Sequence, residues 1–146
     1  MRIAYECTLK PEEEGGFLVT FPSLDEALTE GDSLEEALLN AEEVLTLTLE
    51  GRMSEGIDIP LPELEKISSP NSYLIYPSPR VQSALLVKLI RKNKSLASLA
   101  RSMETSWPAI SRLEDPHHWS SLKQLNKVAE VFGNRLVLSF EPNNTV

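Results

Sequence analysis

Residues 30–50, EGDSLEEALLNAEEVLTLTLE, concentrate carboxylates and contain no Lys, Arg or His. Three kinds of chemistry fit such a stretch: a carboxylate metal site, a solvated helix face, or a docking surface for a basic partner. A metal-dependent nuclease needs carboxylates that converge on one or two cations from several elements. Here Glu35, Glu36, Glu42, Glu43 and Glu50 fall on one helical arc, with Leu39 projecting from its middle and Leu47 from its border. The other acids lie in a loop, Glu12 to Glu14, or on prospective strands, Glu6 and Asp58. They line up instead of converging, so no residue is assigned a catalytic or metal-binding role and no enzyme is expected. Glycine-rich phosphate loops and a G-x-S-x-G turn are absent from the sequence. His117 and His118, the only histidines, are adjacent on a loop and do not present two nitrogens to one metal. No cofactor is expected.

A second set of residues suggests different chemistry. In SLASLARSMETSWPAISRLEDP, residues 95–116, Ser95 caps a helix whose Leu96, Leu99, Ala100 and Met103 point inward. A short turn comes next. Ser106 then caps a second helix with Pro108 in its first turn and Ile110 and Leu113 buried. This is the pattern of a helix-turn-helix, in which a small residue such as Ala100 allows two helices to cross closely. If the second helix enters the major groove of DNA, its candidate contacts are Trp107, Pro108, Ser111 and Arg112, with the Ser106 hydroxyl placed for a phosphate.

Patterning identifies the elements that must hold these sets in place. IAYECTL (3–9) and FLVTF (17–21) read as strands joined by KPEEEGG, where Gly15 and Gly16 supply the positive φ of a hairpin loop. Residues 26–30 add a third strand. Ser33 and Glu36 form an S-x-x-E capping box that opens a helix, and Gly51 is expected to end it. Leu34, Ala37, Leu38, Ala41, Val44 and Leu45 share its inner face. IDIPL (57–61) and YLIY (73–76) read as further short strands flanking a loop, ELEKISSPNS. The prolines at 70, 77 and 79 mark a boundary, beyond which VQSALLVKLIRKN and three more helical patterns (95–103, 106–114, 121–132) precede a last strand, RLVLSF, at 135–140. The fold class is therefore α+β: a β-β-β-α-β module over 1–78, and an all-α helix-turn-helix domain with a final strand over 79–146.

Charge divides along the same line. Residues 1–70 carry 4 Lys/Arg against 17 Asp/Glu, and residues 71–146 carry 10 against 5, within a total of −8. The split suggests two modules that meet different partners, the acidic one a cation or a basic protein and the basic one nucleic acid; two ordinary solvated surfaces would show the same charges. The chain has 146 residues and 41% hydrophobic content, enough for packed cores. No apolar run approaches the ~20 residues that span a bilayer, and the N-terminus lacks a signal-peptide core, so a cytoplasmic protein is expected. A single cysteine, Cys7, fits a reducing compartment and reads as a buried thiol.

Two family resemblances attach to these residues. Leu99 to Glu114, L-A-R-S-M-E-T-S-W-P-A-I-S-R-L-E, is similar to the Cro/repressor-type helix-turn-helix pattern L-A-x-x-h-G-x-S-x-x-x-I-S-R-h-E, with Glu104 at the usual turn glycine. Trp107 and Pro108 stand where Gln or Asn would pair with adenine. The stretch GGFLVTFPSLDEALTEGDSLEEALLNAEEVL resembles the HicB antitoxin family through Gly15, Gly16, Phe17, Phe21, Pro22, Thr29, Gly31, Asp32, Glu35, Glu36, Ala37, Asn40 and Ala41, departing at Ser23 and Asp25. The resemblance implies a partial ribonuclease-H-like N-terminal fold without its catalytic carboxylates, which binds and blocks a small basic ribonuclease toxin, HicA. It implies a C-terminal domain that binds the operon's own promoter as a dimer and represses it.

The resulting expectation is a type II antitoxin and autorepressor whose toxin-facing candidates are Glu35, Glu36, Leu39, Glu42 and Glu43. A homodimer or higher oligomer is expected because one helix-turn-helix covers half an operator, and Leu136 to Phe140 is the candidate dimer strand. The alternative is a transcriptional regulator that senses a small ligand and has no toxin partner; a metal-dependent ribonuclease is a third class.

Overall fold

The computed structural model describes residues 1–62 and 69–143. The chain divides into two compact units, Met1–Ser78 with Glu141 onward, and Pro79–Phe140. The first unit contains strands β1 (Tyr5–Pro11), β2 (Phe17–Phe21), β3 (Leu24–Gly31) and β4 (Ser72–Ile75) and helix α1 (Leu34–Glu55). The second contains helices α2 (Pro79–Arg91), α3 (Leu96–Ser102), α4 (Trp107–Leu113) and α5 (Leu122–Val131).

The four strands form one antiparallel sheet in the order β3-β2-β1-β4. The β1–β2 hairpin closes through a Glu12 N–H to Gly16 carbonyl bond of 3.0 Å, and Gly15 and Gly16 take φ of 96° and 80°. Alternation then decides the faces. Tyr5, Cys7 and Leu9 of β1, Val19 and Phe21 of β2, and Leu24 and Ala27 of β3 are buried, and so are Ala37, Leu38, Ala41, Leu45 and Leu49 of α1. The Asn40 side-chain amide donates to the Glu30 carbonyl at 2.8 Å, tying α1 to the end of β3.

Three expectations for this unit are corrected. Helix α1 does not stop at Gly51. It runs one further turn to Glu55, where Gly56 at φ 69° donates its N–H to the Arg52 carbonyl. One mid-helix glycine costs about 1 kcal/mol, and the helix that continues through it places Arg52 to bond both the Glu26 carboxylate and the Asp58 carbonyl. Residues 57–61 form no strand, because Pro60 and Pro62 lack ladder donors. Side chains hold this segment instead: the Tyr5 hydroxyl donates to the Pro60 carbonyl at 2.8 Å and Arg52 Nη1 to the Asp58 carbonyl at 2.8 Å. Of the capping box only half forms, the Ser33 hydroxyl accepting from the Glu36 N–H at 3.1 Å. The loop expected from residue 63 lies mostly outside the described residues.

The second unit packs Val87, Leu99, Ala100, Ile110, Leu113 and Val128 into its core, with Leu96, Met103, Leu125 and Phe132 around them. Each later helix opens on a serine: Ser95 accepts from Ser98 N, Ser106 from Ala109 N and Ser121 from Gln124 N, the last within a complete capping box. The turn between α3 and α4 places Glu104 at φ 54°. Arg91 of α2 donates Nε and Nη2 to the two Glu114 oxygens at 2.5 and 2.8 Å, clamping α2 to the end of α4. The expected strand at 135–140 is absent from the described chain. A strand needs an edge to bond with, and this segment pairs with none; Val137, Leu138 and Phe140 stand exposed.

Two consequences can be measured. A Cβ at Gly31 would lie 2.4 Å from the Ala37 nitrogen and 2.6 Å from its Cα, both backbone atoms. Gly31→Ala is expected to destabilise the protein by about 3 kcal/mol in denaturant unfolding, the upper end of the usual cost of overpacking, because the atoms met are backbone. Arg52 holds the Glu26 carboxyl at about 2, below its ordinary 4.5, mainly through the paired hydrogen bonds. The stabilisation is present above pH 4.5 and is lost as pH falls toward 2. Glu26→Gln should therefore flatten the acid limb of the stability profile in that window, by a small amount given the exposure of the pair.

Candidate functional site

Burying one face of α1 determines what the other presents. With Ala37, Ala41 and Leu45 turned to the sheet, Glu35, Glu36, Glu42 and Glu43 emerge into solvent together. Leu39 rises among them at 65% exposure, and Leu47, two turns further along the same side, at 60%. The five residues read from the sequence as one surface are thus brought together. Glu50 is not part of it: at 8% exposure it is buried. The Ser78 N–H donates to Thr46 Oγ1 at 2.9 Å, so the chain leaving β4 runs beside α1 one turn before Glu50. Helical periodicity alone gives no sign of this burial, because it places Glu50 on the same arc as the exposed carboxylates.

A row of carboxylates beside isolated leucines can attract a cationic surface at long range and then exclude water from the contact. Among the described residues no group of three or more His, Cys, Asp and Glu is placed to hold a metal ion. Cys7 adds no chemistry, because burial pushes its thiol up to about 12 and leaves it protonated.

In the second unit, Ser106, Trp107, Pro108 and Arg112 are all exposed along α4, while Ser111 is half-buried. Trp107 is 53% exposed at the first helical position. The opposite side, Ile110 and Leu113, is in the core. The expected residues therefore share an outward surface, with Ser111 set back from it. Sequence reasoning passed over Trp119, which lies in the loop after α4 at 67% exposure and lines a notch with Ala109, Arg112, His118, Ser121 and Gln124. Its signal was a large aromatic in a polar loop, EDPHHWSS, outside any helical period.

No helix of the described residues is long and apolar enough to cross a membrane.

Comparison with known proteins bears on these surfaces. A family model described as "HicB_like antitoxin of bacterial toxin-antitoxin system" matches residues 4–71, the stretch from β1 to the start of β4. "Antitoxin HicB 1" of Photorhabdus laumondii subsp. laumondii is 33% identical over 138 residues, covering 94% of this chain and 86% of that protein. "Antitoxin HicB" of Escherichia coli is 28% identical over 135 residues, covering 92% of this chain and 96% of that one. Among solved structures, a chain titled "HicA3 and HicB3 toxin-antitoxin complex" is 24% identical and covers 53% of this chain and 100% of its own, at a TM-score of 0.44. One third identity sustained across nearly the whole length, together with the match over β1 to β3 and α1, shows that this chain belongs to the HicB family of antitoxins.

Proposed function

We propose that the chain neutralises a HicA-type toxin, a small basic ribonuclease that cleaves mRNA, by covering the toxin's RNA-cleaving surface. The observation that carries this reading is the outer face of α1, where Leu39 stands exposed among Glu35, Glu36, Glu42 and Glu43. An enzyme that holds RNA must present cations to the phosphates, and those cations are what an acidic helix face complements. The carboxylates steer encounter; Leu39 supplies the apolar contact that slows dissociation. In this reading residues 1–78 are a toxin-binding domain built as a partial ribonuclease-H-like scaffold, without catalysis of its own.

Residues 79–146 are, in the same proposal, a Cro/repressor-type helix-turn-helix domain that represses the chain's own operon from the cytoplasm. Helix α4 lies in the major groove with Trp107, Pro108, Ser111 and Arg112 as contacts and the Ser106 hydroxyl at a phosphate. The protein acts as a homodimer or higher oligomer, so that two such helices sit about 34 Å apart on the operator. The unpaired segment Leu136 to Phe140, half-buried at Leu136 and exposed beyond it, supports its role as the dimer strand, since pairing with a second copy would satisfy its backbone and cover its side chains.

Changing Glu35, Glu42 and Glu43 together to Lys should slow association with the toxin at low salt by about tenfold or more, measured by stopped flow. Leu39→Ala should instead raise the dissociation rate by about tenfold. Wild-type rates in both variants would remove α1 from the interface. For DNA, Trp107→Ala and Arg112→Ala are each expected to weaken binding to the upstream region of the operon by about tenfold, with thermal unfolding and toxin inhibition unchanged. Co-purification with a basic protein of under ~100 residues separates this reading from a ligand-sensing regulator.

A further inference from the structure

After α4 the chain turns through Asp115–Ser120 and enters α5, leaving a notch of about 330 Å³ between the two helices. Ala109 and Arg112 form one wall, Ser121 and Gln124 the other, and His118 and Trp119 of the loop close its end. No carboxylate is in this lining. Arg112 is exposed and makes no ion pair among the described residues, whereas Arg91 of the same unit is fully engaged with Glu114. The Trp119 indole is 67% exposed, and no described acceptor takes its ring N–H. An exposed indole thus stands beside a guanidinium that no described carboxylate pairs. The far wall is rigid in advance: Gln124 Oε1 accepts from Ser121 N at 3.0 Å and from Ser121 Oγ at 3.2 Å, and Ser121 Oγ accepts from Gln124 N at 3.1 Å.

We infer that this notch seats one phosphodiester of the DNA backbone, with the Arg112 guanidinium and the ring N–H groups of His118 and Trp119 as donors and the Trp119 ring against the adjoining sugar. The inference rests on the DNA-binding reading above and divides its contact set. Base edges mix donors with acceptors, and a site that reads them carries both. The notch gathers a guanidinium and two ring N–H donors with no carboxylate, and its Gln124 Oε1 acceptor is already taken by Ser121, which is the chemistry of a phosphate site. Its position agrees: the first turn of a groove-bound helix meets the bases, and the chain beyond the last turn comes out at the groove's edge. Arg112 and Trp119 are then positioning contacts, and discrimination between sequences is left to the first turn of α4 with Trp107 and Pro108.

The test compares full-length chains on two duplexes, one covering the upstream region of the operon and one a shuffled sequence of the same composition. Trp119→Ala should lose about fivefold to tenfold affinity on both duplexes, keeping their affinity ratio within about twofold, because a backbone contact is blind to sequence. Trp119→Phe keeps the ring without the N–H and should fall between. Arg112→Ala should lower affinity on both and reduce the slope of log K against log salt by about 1. Trp107→Ala should reduce the ratio itself. Wild-type affinity in Trp119→Ala, or a loss confined to the operon duplex, overturns the phosphate assignment while leaving the DNA-binding reading intact. A wild-type chain that binds neither duplex overturns both.

Discussion

The structure of the first unit depends on how closely the first turn of α1 approaches the end of β3. Gly31 has no side chain, and the space a Cβ would need is taken by the backbone of Ala37. With the helix pressed this far down, the residues that meet the sheet must be small or well fitted: Ala37, Ala41, then Leu38, Leu45 and Leu49. The Asn40 amide on the Glu30 carbonyl fixes the helix's rotation about its own axis. That rotation turns Glu35, Glu36, Leu39, Glu42 and Glu43 outward as a set. Turning the helix by half a revolution would place carboxylates against Val19 and Phe21, at a cost no core of this size could offset. The acidic face is thus a consequence of the packing beneath it.

The second unit is stabilised differently. Four short helices bury few large side chains, and a domain of roughly 60 residues has little stability to spare. Specific polar contacts make up the difference: three serine caps, the Arg91–Glu114 clamp, and Lys94 over the Phe132 ring at 5.3 Å. The clamp also separates the arginines by function. Arg91 is consumed in holding α2 to α4, and Arg112, on the other side of the same helix, remains available to a partner.

Periodicity and caps were enough to find β2, the hairpin glycines, the inner face of α1 and the four later helices, because those features are local. The errors came where distant residues decide. Gly51 reads as a stop until the Arg52–Glu26 pair is known to lie just beyond it. Glu50 reads as exposed by helical period, yet it is buried. Residues 57–61 look like a strand by composition, yet their prolines leave the backbone to be held by Tyr5 and Arg52. The family motif has its own physical content: Gly31, Ala37 and Asn40 serve the sheet–helix contact and Gly16 the close approach of its strand to Gly31, so much of the signature encodes the scaffold. Trp119 escaped notice because loop residues follow no period, and only the folded arrangement puts it beside Arg112.

Cys7 lies on β1 facing the interior, with its thiol kept protonated and out of solvent. A reagent can reach that sulfur only when α1 lifts from the sheet or the strands part. The chain therefore carries its own clock for local opening: the rate at which Cys7 reacts counts how often the scaffold beneath the acidic face comes undone.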